Sequence, residues 1–248
     1  VEVCAAMQRG ALSAAPSAQI VQLPLADGGE GTVQTLVTST NGVLKSSRVL
    51  GPLGQNTLAE YGILGDRKTA VIEMAAASGL PLVSPKKRNP LHTTTYGTGQ
   101  LIQQALDEGA TQMLIGIGGS ATNDGGAGMA QALGARFYAD DKEITEPMTG
   151  SLLVRVTRCD LSTLDPRLKS VDIKVACDVD NPLLGERGAA VIYAPQKGAD
   201  AAAVDVLETN MKHFFDIIEA ATQPVRDVPG AGAAGGLGAG LMAFLNGA

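Results

Sequence analysis

No run of apolar residues in this chain of 248 approaches the roughly 18 that a membrane-crossing helix needs, so a membrane partner is not expected. Cysteine is scarce: Cys4, Cys159 and Cys177 are odd in number, far apart and without a C-x-x-C, which argues against a disulfide framework or a zinc site and fits a reducing cytoplasm. Basic residues number 19 against 25 acidic ones, for a net charge of -6, and no Lys/Arg-rich stripe with interleaved aromatics is present. Nucleic acid is therefore not expected as a partner, and the densest basic run, Lys86-Lys87-Arg88, reads as a solvated loop beside Pro85 and Pro90. Histidine occurs twice. His92 and His213 have no third partner at triad or zinc spacing; His213, beside Phe214, reads as packing or surface, and His92 lies among candidate substrate-loop residues. The start lacks a charged segment followed by a compact apolar core, so no signal peptide is expected, and no repeat of 20 to 50 residues is evident. What remains is a globular composition, 45% hydrophobic, with length for one large or two ordinary domains.

The stretch that organises the rest is Met113 to Ala135. Met113 to Ile117 is a short apolar run that reads as a buried strand; six glycines fall between Gly116 and Gly128, and Met129, Ala130 and Leu133 resume at helical spacing. Strand, glycine-rich turn and helix together bring backbone N–H groups and a helix N-terminus to one point, where a phosphate or carboxylate is the natural guest. Gly116-Ile117-Gly118-Gly119-Ser120-Ala121 fits the loose dinucleotide pattern G-x-G-x-x-A, with Asp140 and Asp141 about 20 residues on. Gly230-x-Gly232-x-x-Gly235 fits it too, so the pattern by itself decides little. A P-loop is excluded because no Lys-Ser/Thr pair follows the glycines. The polar cluster Ser120, Thr122, Asn123 and Asp124 departs from a nicotinamide fingerprint. Such side chains cap the helix, or meet an anion with a metal between it and Asp124.

Upstream, Val1 to Leu12 reads as the tail of a helix closed near Gly10, and Gln19 to Leu25 as a strand. Asp27-Gly28-Gly29-Glu30-Gly31-Thr32 follows, then a helix from about Val33 to Thr40, repeating the central design. Ligands of open parallel sheets collect beyond strand carboxyl ends, which places Asp27 and Glu30 where chemistry would occur; the alternative is a tight turn with acids at a helix start. Val43 to Leu50, Thr57 to Leu64 and Thr69 to Glu73 alternate like hairpin strands and suggest a second domain. Thr93 to Thr98 either offer hydroxyls to a substrate or cap the helix that carries Leu101, Ile102, Ala105 and Leu106 and ends at Gly109.

Downstream, Val171 to Cys177 reads as a strand ending in Asp178-Val179-Asp180-Asn181-Pro182, carboxylates placed to hold Mg²⁺ or take a proton from an alcohol, or else an Asx-type turn before proline. Ala189 to Tyr193 reads as a short strand, and a long helix is expected from about Asp200 to Ala221 with Val204, Leu207, Met211 and Phe215 on one side. Lys197, near its start, reads either as a point charge that meets phosphate or as a solvated lysine. The Gly/Ala-dense stretch Gly230 to Gly240 suits either close packing of a helix on backbone or a second anion-facing turn.

These residues resemble the bacterial glycerate kinases of the first type. The run IGIGGSATNDGGAGMAQALGA is similar to that family's signature, and LADGGEGTV, IEMAAASGL, RNPLHTTTYGTGQLI, LDPRL, VACDVDNPLLG, APQKGA and VPGAGAAGGLGAGLMAFL agree with it in the same order along the chain. The family's opening strand and A-P-D-S-F-K loop, and over a hundred residues at its C-terminal end with a T-G-E-G-x-x-D segment, are absent, so the chain is expected to be an internal fragment of a longer protein or only its ordered part. The resemblance implies ATP-dependent phosphorylation of D-glycerate with Mg²⁺, at O2 or O3, with 2-phosphoglycerate preferred as product. From chemistry and position, Asp178 and Lys197 are assigned as catalytic. Gly28, Gly29, Gly31, Thr32, Gly118, Gly119, Ser120, Thr122 and Asn123 are assigned to phosphate or substrate, and Asp27, Asp124 and Asp180 to the metal. The expected fold is α/β in two domains: a Rossmann-like three-layer domain of residues 1–42 and 80–136, and a mixed α/β domain of 43–79 and 137–248, with the active site in the cleft between them. A homodimer is left open. A nicotinamide-dependent oxidoreductase and a non-catalytic phosphometabolite-binding fragment are the alternatives.

Overall fold

The computed structural model describes residues 2–21, 31–245 and 247. Helix α1, Glu2–Ala14, runs through Gly10 rather than closing there, because Gly10 stands in open space and Ser13 Oγ bonds back to its carbonyl. The strand expected from Gln19 is not formed at Gln19 to Val21, and its remainder lies outside the described residues. Helix α2, Thr32–Ser39, matches the expectation closely.

The alternating segments become β1, Val43–Leu50, β2, Asn56–Ile63, and β3, Thr69–Glu73, joined antiparallel in sequence. After α3, Ala75–Ser78, and α4, Tyr96–Asp107, comes β4, Gln112–Gly116, which pairs parallel with β3 from Thr69↔Gln112 to Glu73↔Gly116. The α5 helix, Ala127–Ala132, leads to a small antiparallel sheet of β5, Arg136–Ala139, β6, Lys142–Glu143, and β7, Arg158–Asp160. Strand β8, Asp172–Ala176, returns to pair parallel with β4, completing the order β1-β2-β3-β4-β8. The final helices are α6, Ala189–Tyr193, α7, Ala201–Ala221, and α8, Ala233–Leu245, the last broken by left-handed backbone at Ala234, Gly235 and Gly236.

Strand alternation sends side chains to both faces of this sheet. Val71 and Leu114 pack with Val33 and Val37 of α2, whereas Ala70, Ile72, Met113 and Ile115 join the main core with Leu101, Ile102, Ala105 and Leu106 of α4. The two-sided burial explains why β3 and β4 are short continuous apolar runs. On the small sheet Phe137 meets Phe214 of α7 edge-on with centroids 5.4 Å apart, and Phe244 of α8 at 6.3 Å.

Two expectations are corrected. The division placing 43–79 and 137–248 apart from 80–136 cuts across one sheet, since β3 and β8 are the two hydrogen-bonded neighbours of β4. Ala189 to Tyr193 is helical, not extended: five apolar residues carry no decisive period, and two buried alanines after Gly188 favour a helical turn. No helix among the described residues is long and apolar enough to cross a membrane.

Candidate active site at the carboxyl ends of β4 and β8

The sheet delivers the ends of β4 and β8 side by side, and the chain leaves both for the same space. Beyond β4, Gly119 turns with φ +73°, and the loop is fastened by Leu80 N–H donating to Gly119 O (2.8 Å) and Ala121 N–H donating to Ser78 O (2.9 Å). Beyond β8 come Cys177, Asp178 and Val179. These segments, with Tyr193, Gln196 and Lys197 from the α6 end and Ala233 and Ala234 from α8, enclose a cavity of about 440 Å³. The N–H groups of Gly118, Gly119 and Ser120 find no acceptor among the described residues. Consecutive unaccepted N–H groups in a turn are the makings of an anion site.

Lys197 forms part of the wall and is only 2% exposed. Its Nζ donates to Ser120 Oγ (2.6 Å) and Thr122 O (2.7 Å). Removal from water pushes its pKa down to about 7, against an upward pull from the charge of Asp124. Asp178, exposed at the cavity edge, is the carboxylate that the described lining offers. Asp180 lies outside that lining and pairs with Arg187 at 2.8 Å.

Asp124 occupies a different role from the metal ligand expected of it. Fully buried, its Oδ2 accepts from Thr95 N–H (2.8 Å), Thr95 Oγ1 (2.8 Å) and Gly128 N–H (3.3 Å), and its Oδ1 from Gly126 N–H (3.2 Å). Four donors fill the carboxylate, so it binds the starts of α4 and α5 together and has no face left for a cation. Burial raises its pKa despite those hydrogen bonds. The threonines are likewise committed to protein: Thr95 Oγ1 also accepts from Met129 N–H, Thr94 Oγ1 from Tyr96 N–H, and Thr93 Oγ1 donates to Ala121 O. Thr122 and Asn123 are fully buried behind the cavity wall, and Thr122 Oγ1 and both Asn123 side-chain polar atoms have no partner there.

The Gly230 to Gly240 stretch packs backbone on backbone. Gly125 N–H donates to Gly235 O (3.1 Å), a Cβ at Gly235 would stand 2.0 Å from Thr122 O, and one at Gly240 would stand 2.6 Å from Gly125 O. The central turn is therefore moulded against a second glycine turn.

Gly31 and Thr32 begin α2, and Gly31 borders a separate cavity of about 510 Å³ with Val33, Glu73 and Ala76 on its wall. Glu73 Oε1 accepts Val33 N–H at 2.7 Å. Asp27, Gly28 and Gly29 lie outside the described residues. The sequence reading missed Glu73, Cys177, Tyr193 and Gln196. Glu73 carried the signal that flagged Asp178, a carboxylate at the end of a buried strand; Tyr193 and Gln196 were hidden by the misread α6. His92 is exposed, and His213 Nε2 meets Val156 O at 2.7 Å, a packing role. Asp140 and Asp141 are exposed at the β5–β6 turn of the other sheet, away from the cavity lining, which removes the ribose-binding acid a nicotinamide site needs. No cluster of three or more His, Cys, Asp or Glu side chains able to hold a metal occurs among the described residues.

Against known proteins, the sequence profile described as the glycerate kinase family matches residues 1–248. A glycerate kinase from Halalkalibacterium halodurans is 55% identical over 99% of this chain and 65% of its own length, and a glycerate 2-kinase from Escherichia coli K12 is 55% identical over 98% and 64%. The crystal structure of a Salmonella typhimurium LT2 protein assigned as glycerate kinase 2 superposes with a TM-score of 0.92 at 48% identity, covering 98% of this chain and 65% of that one. The chain thus spans a little under two thirds of the relatives it matches.

Proposed function

Given that the chain belongs to the glycerate kinase family, we propose that the protein it represents transfers the terminal phosphoryl group of ATP to D-glycerate, preferentially at O2, in a cytoplasmic setting. The observation that carries the proposal is the cavity beyond β4 and β8, where, among the described residues, three N–H groups without an acceptor, a buried lysine and one carboxylate converge. Phosphoryl transfer requires positioning and charge neutralisation more than covalent chemistry. Gly118, Gly119 and Ser120 would bind phosphate oxygens through their N–H groups. Asp178 would orient the acceptor hydroxyl and take its proton as the oxygen bonds to phosphorus and ADP departs. Lys197 would supply positive charge beside Ser120.

ATP-dependent transfer usually uses Mg²⁺. Among the described residues the donor set does not fit a dedicated Mg²⁺ site: Asp124 is filled by donors, Asp180 is paired with Arg187, and Asp178 stands by itself. No step is assigned to the metal. Closure over the cavity would exclude water from the transfer.

A coupled ADP-release assay on the full-length protein, with NMR of the product, tests the reading. Formation of 2-phosphoglycerate from D-glycerate is expected. No ADP release with D-glycerate, or protection by NAD with none by ATP and Mg²⁺, would overturn it.

A further inference from the structure

Lys197 is almost wholly withdrawn from water, and its direct partners among the described residues, Ser120 Oγ and Thr122 O, are both neutral. A buried ammonium needs a counter-charge. In its protonated form two of its three N–H groups are taken, leaving one. Because Ser120 Oγ accepts from Nζ, the serine O–H remains free to donate. An ammonium N–H and a hydroxyl on hydrogen-bonded neighbours, both lining the cavity, offer two adjacent donors.

We propose that Lys197 and Ser120 bind the carboxylate of the acceptor, and so select hydroxy acids over neutral polyols; this rests on the kinase reading above. The N–H groups of Gly118 to Ser120 already form a separate phosphate-type donor set, so the lysine is not needed for the nucleotide. Asp178 lines the same cavity, so an acid held by its carboxylate at Lys197 has its hydroxyl in the space that Asp178 borders. Only a small anion entering the cavity can reach a side chain this enclosed.

A linked proton gives the test a readout apart from turnover. Asp124 lies behind the turn, and Asp178, Cys177 and Tyr193 line the cavity with the lysine; of these, Asp124 is the charge that acts on it. With its pKa near 7, Lys197 is largely neutral at pH 8, and a carboxylate placed against it recharges it.

The experiment is calorimetry of D-glycerate binding to the full-length protein at pH 8 in two buffers of different ionisation enthalpy, with glycerol as the uncharged control. The wild type should take up most of one proton on binding D-glycerate and bind glycerol far more weakly. Lys197→Met should lose the uptake and weaken D-glycerate by about 30-fold or more, with ATP affinity within about threefold, as expected for a lost charge-assisted hydrogen bond. Ser120→Ala, a smaller change should Lys197→Met not fold, should weaken D-glycerate about threefold to tenfold and spare ATP. D-glycerate affinity unchanged in both variants, absent proton uptake in the wild type, or loss falling on ATP instead would overturn the proposal. Failure of the wild type to phosphorylate D-glycerate while proton-linked binding persists would overturn the kinase reading and leave the carboxylate site standing.

Discussion

Two glycine-rich stretches read alike in the sequence, each leading into a helix, and the described residues beside them differ: one helix start is met by a carboxylate and the other turn is not. At β3, the start of α2 is met by a protein carboxylate, Glu73 on Val33 N–H. At β4, the N–H groups of Gly118 to Ser120 have no acceptor among the described residues, and a buried lysine stands beside them, bonded to Ser120 Oγ and to no described carboxylate. One helix start has been capped internally and the other strand end kept open. A glycine turn points to a ligand only where the surrounding structure withholds its own acceptor.

The strongest way to break this contrast is to remove the carboxylate on the open side. Asp178→Asn in the full-length protein should lower kcat by about 10²- to 10⁴-fold with ATP affinity nearly unchanged, the usual worth of a positioned general base. Near-normal turnover would strip Asp178 of that role.

The open side should also titrate. In the folded protein the pKa of Lys197 is about 7, below its ordinary 10.5, so between those values the unfolded chain binds more protons and stability rises with pH. The burial cost is felt in full below pH 7 and relieved on going to pH 10, by at most about 5 kcal/mol. Urea unfolding at a series of pH values should show that rise, and Lys197→Met should flatten it; an unchanged slope in the variant would contradict the assignment.

Asp124→Ala should cost about 3 kcal/mol, because Thr95 N–H, Gly126 N–H and Gly128 N–H lose a buried acceptor together. Denaturant midpoints measure it, and a loss under about 1 kcal/mol would mean that water replaces the carboxylate. Glu73→Ala removes a single partly buried cap and should cost only about 1 kcal/mol, with α2 as the locus of faster amide exchange.

Local signals were read well and distant pairings were not. The strand, turn and helix around Gly116, the strand before Asp178, the hairpin strands and the face of α7 all announced themselves through short-range period and turn chemistry. What failed needed contacts remote in sequence. Asp124 was read as a metal ligand because nothing local shows Thr95 arriving on its carboxylate from 29 residues away. The hairpin was set in another domain because the register of β3 on β4 spans some 40 residues. Lys197 was flagged from position near a helix start, but its burial against Ser120 is a tertiary fact. Within α6, Ala189 to Tyr193 held too few residues for periodicity to separate helix from strand.

The bond from Gly125 to Gly235 joins backbone about 110 positions apart and templates the turn that shapes the cavity. Such a high-separation contact forms late, since loop closure must precede any gain from it. During refolding, helical signal should therefore recover before competence to bind the organic acid does, and ribosome-bound chains ending upstream of Gly235 should carry the sheet yet lack a usable pocket.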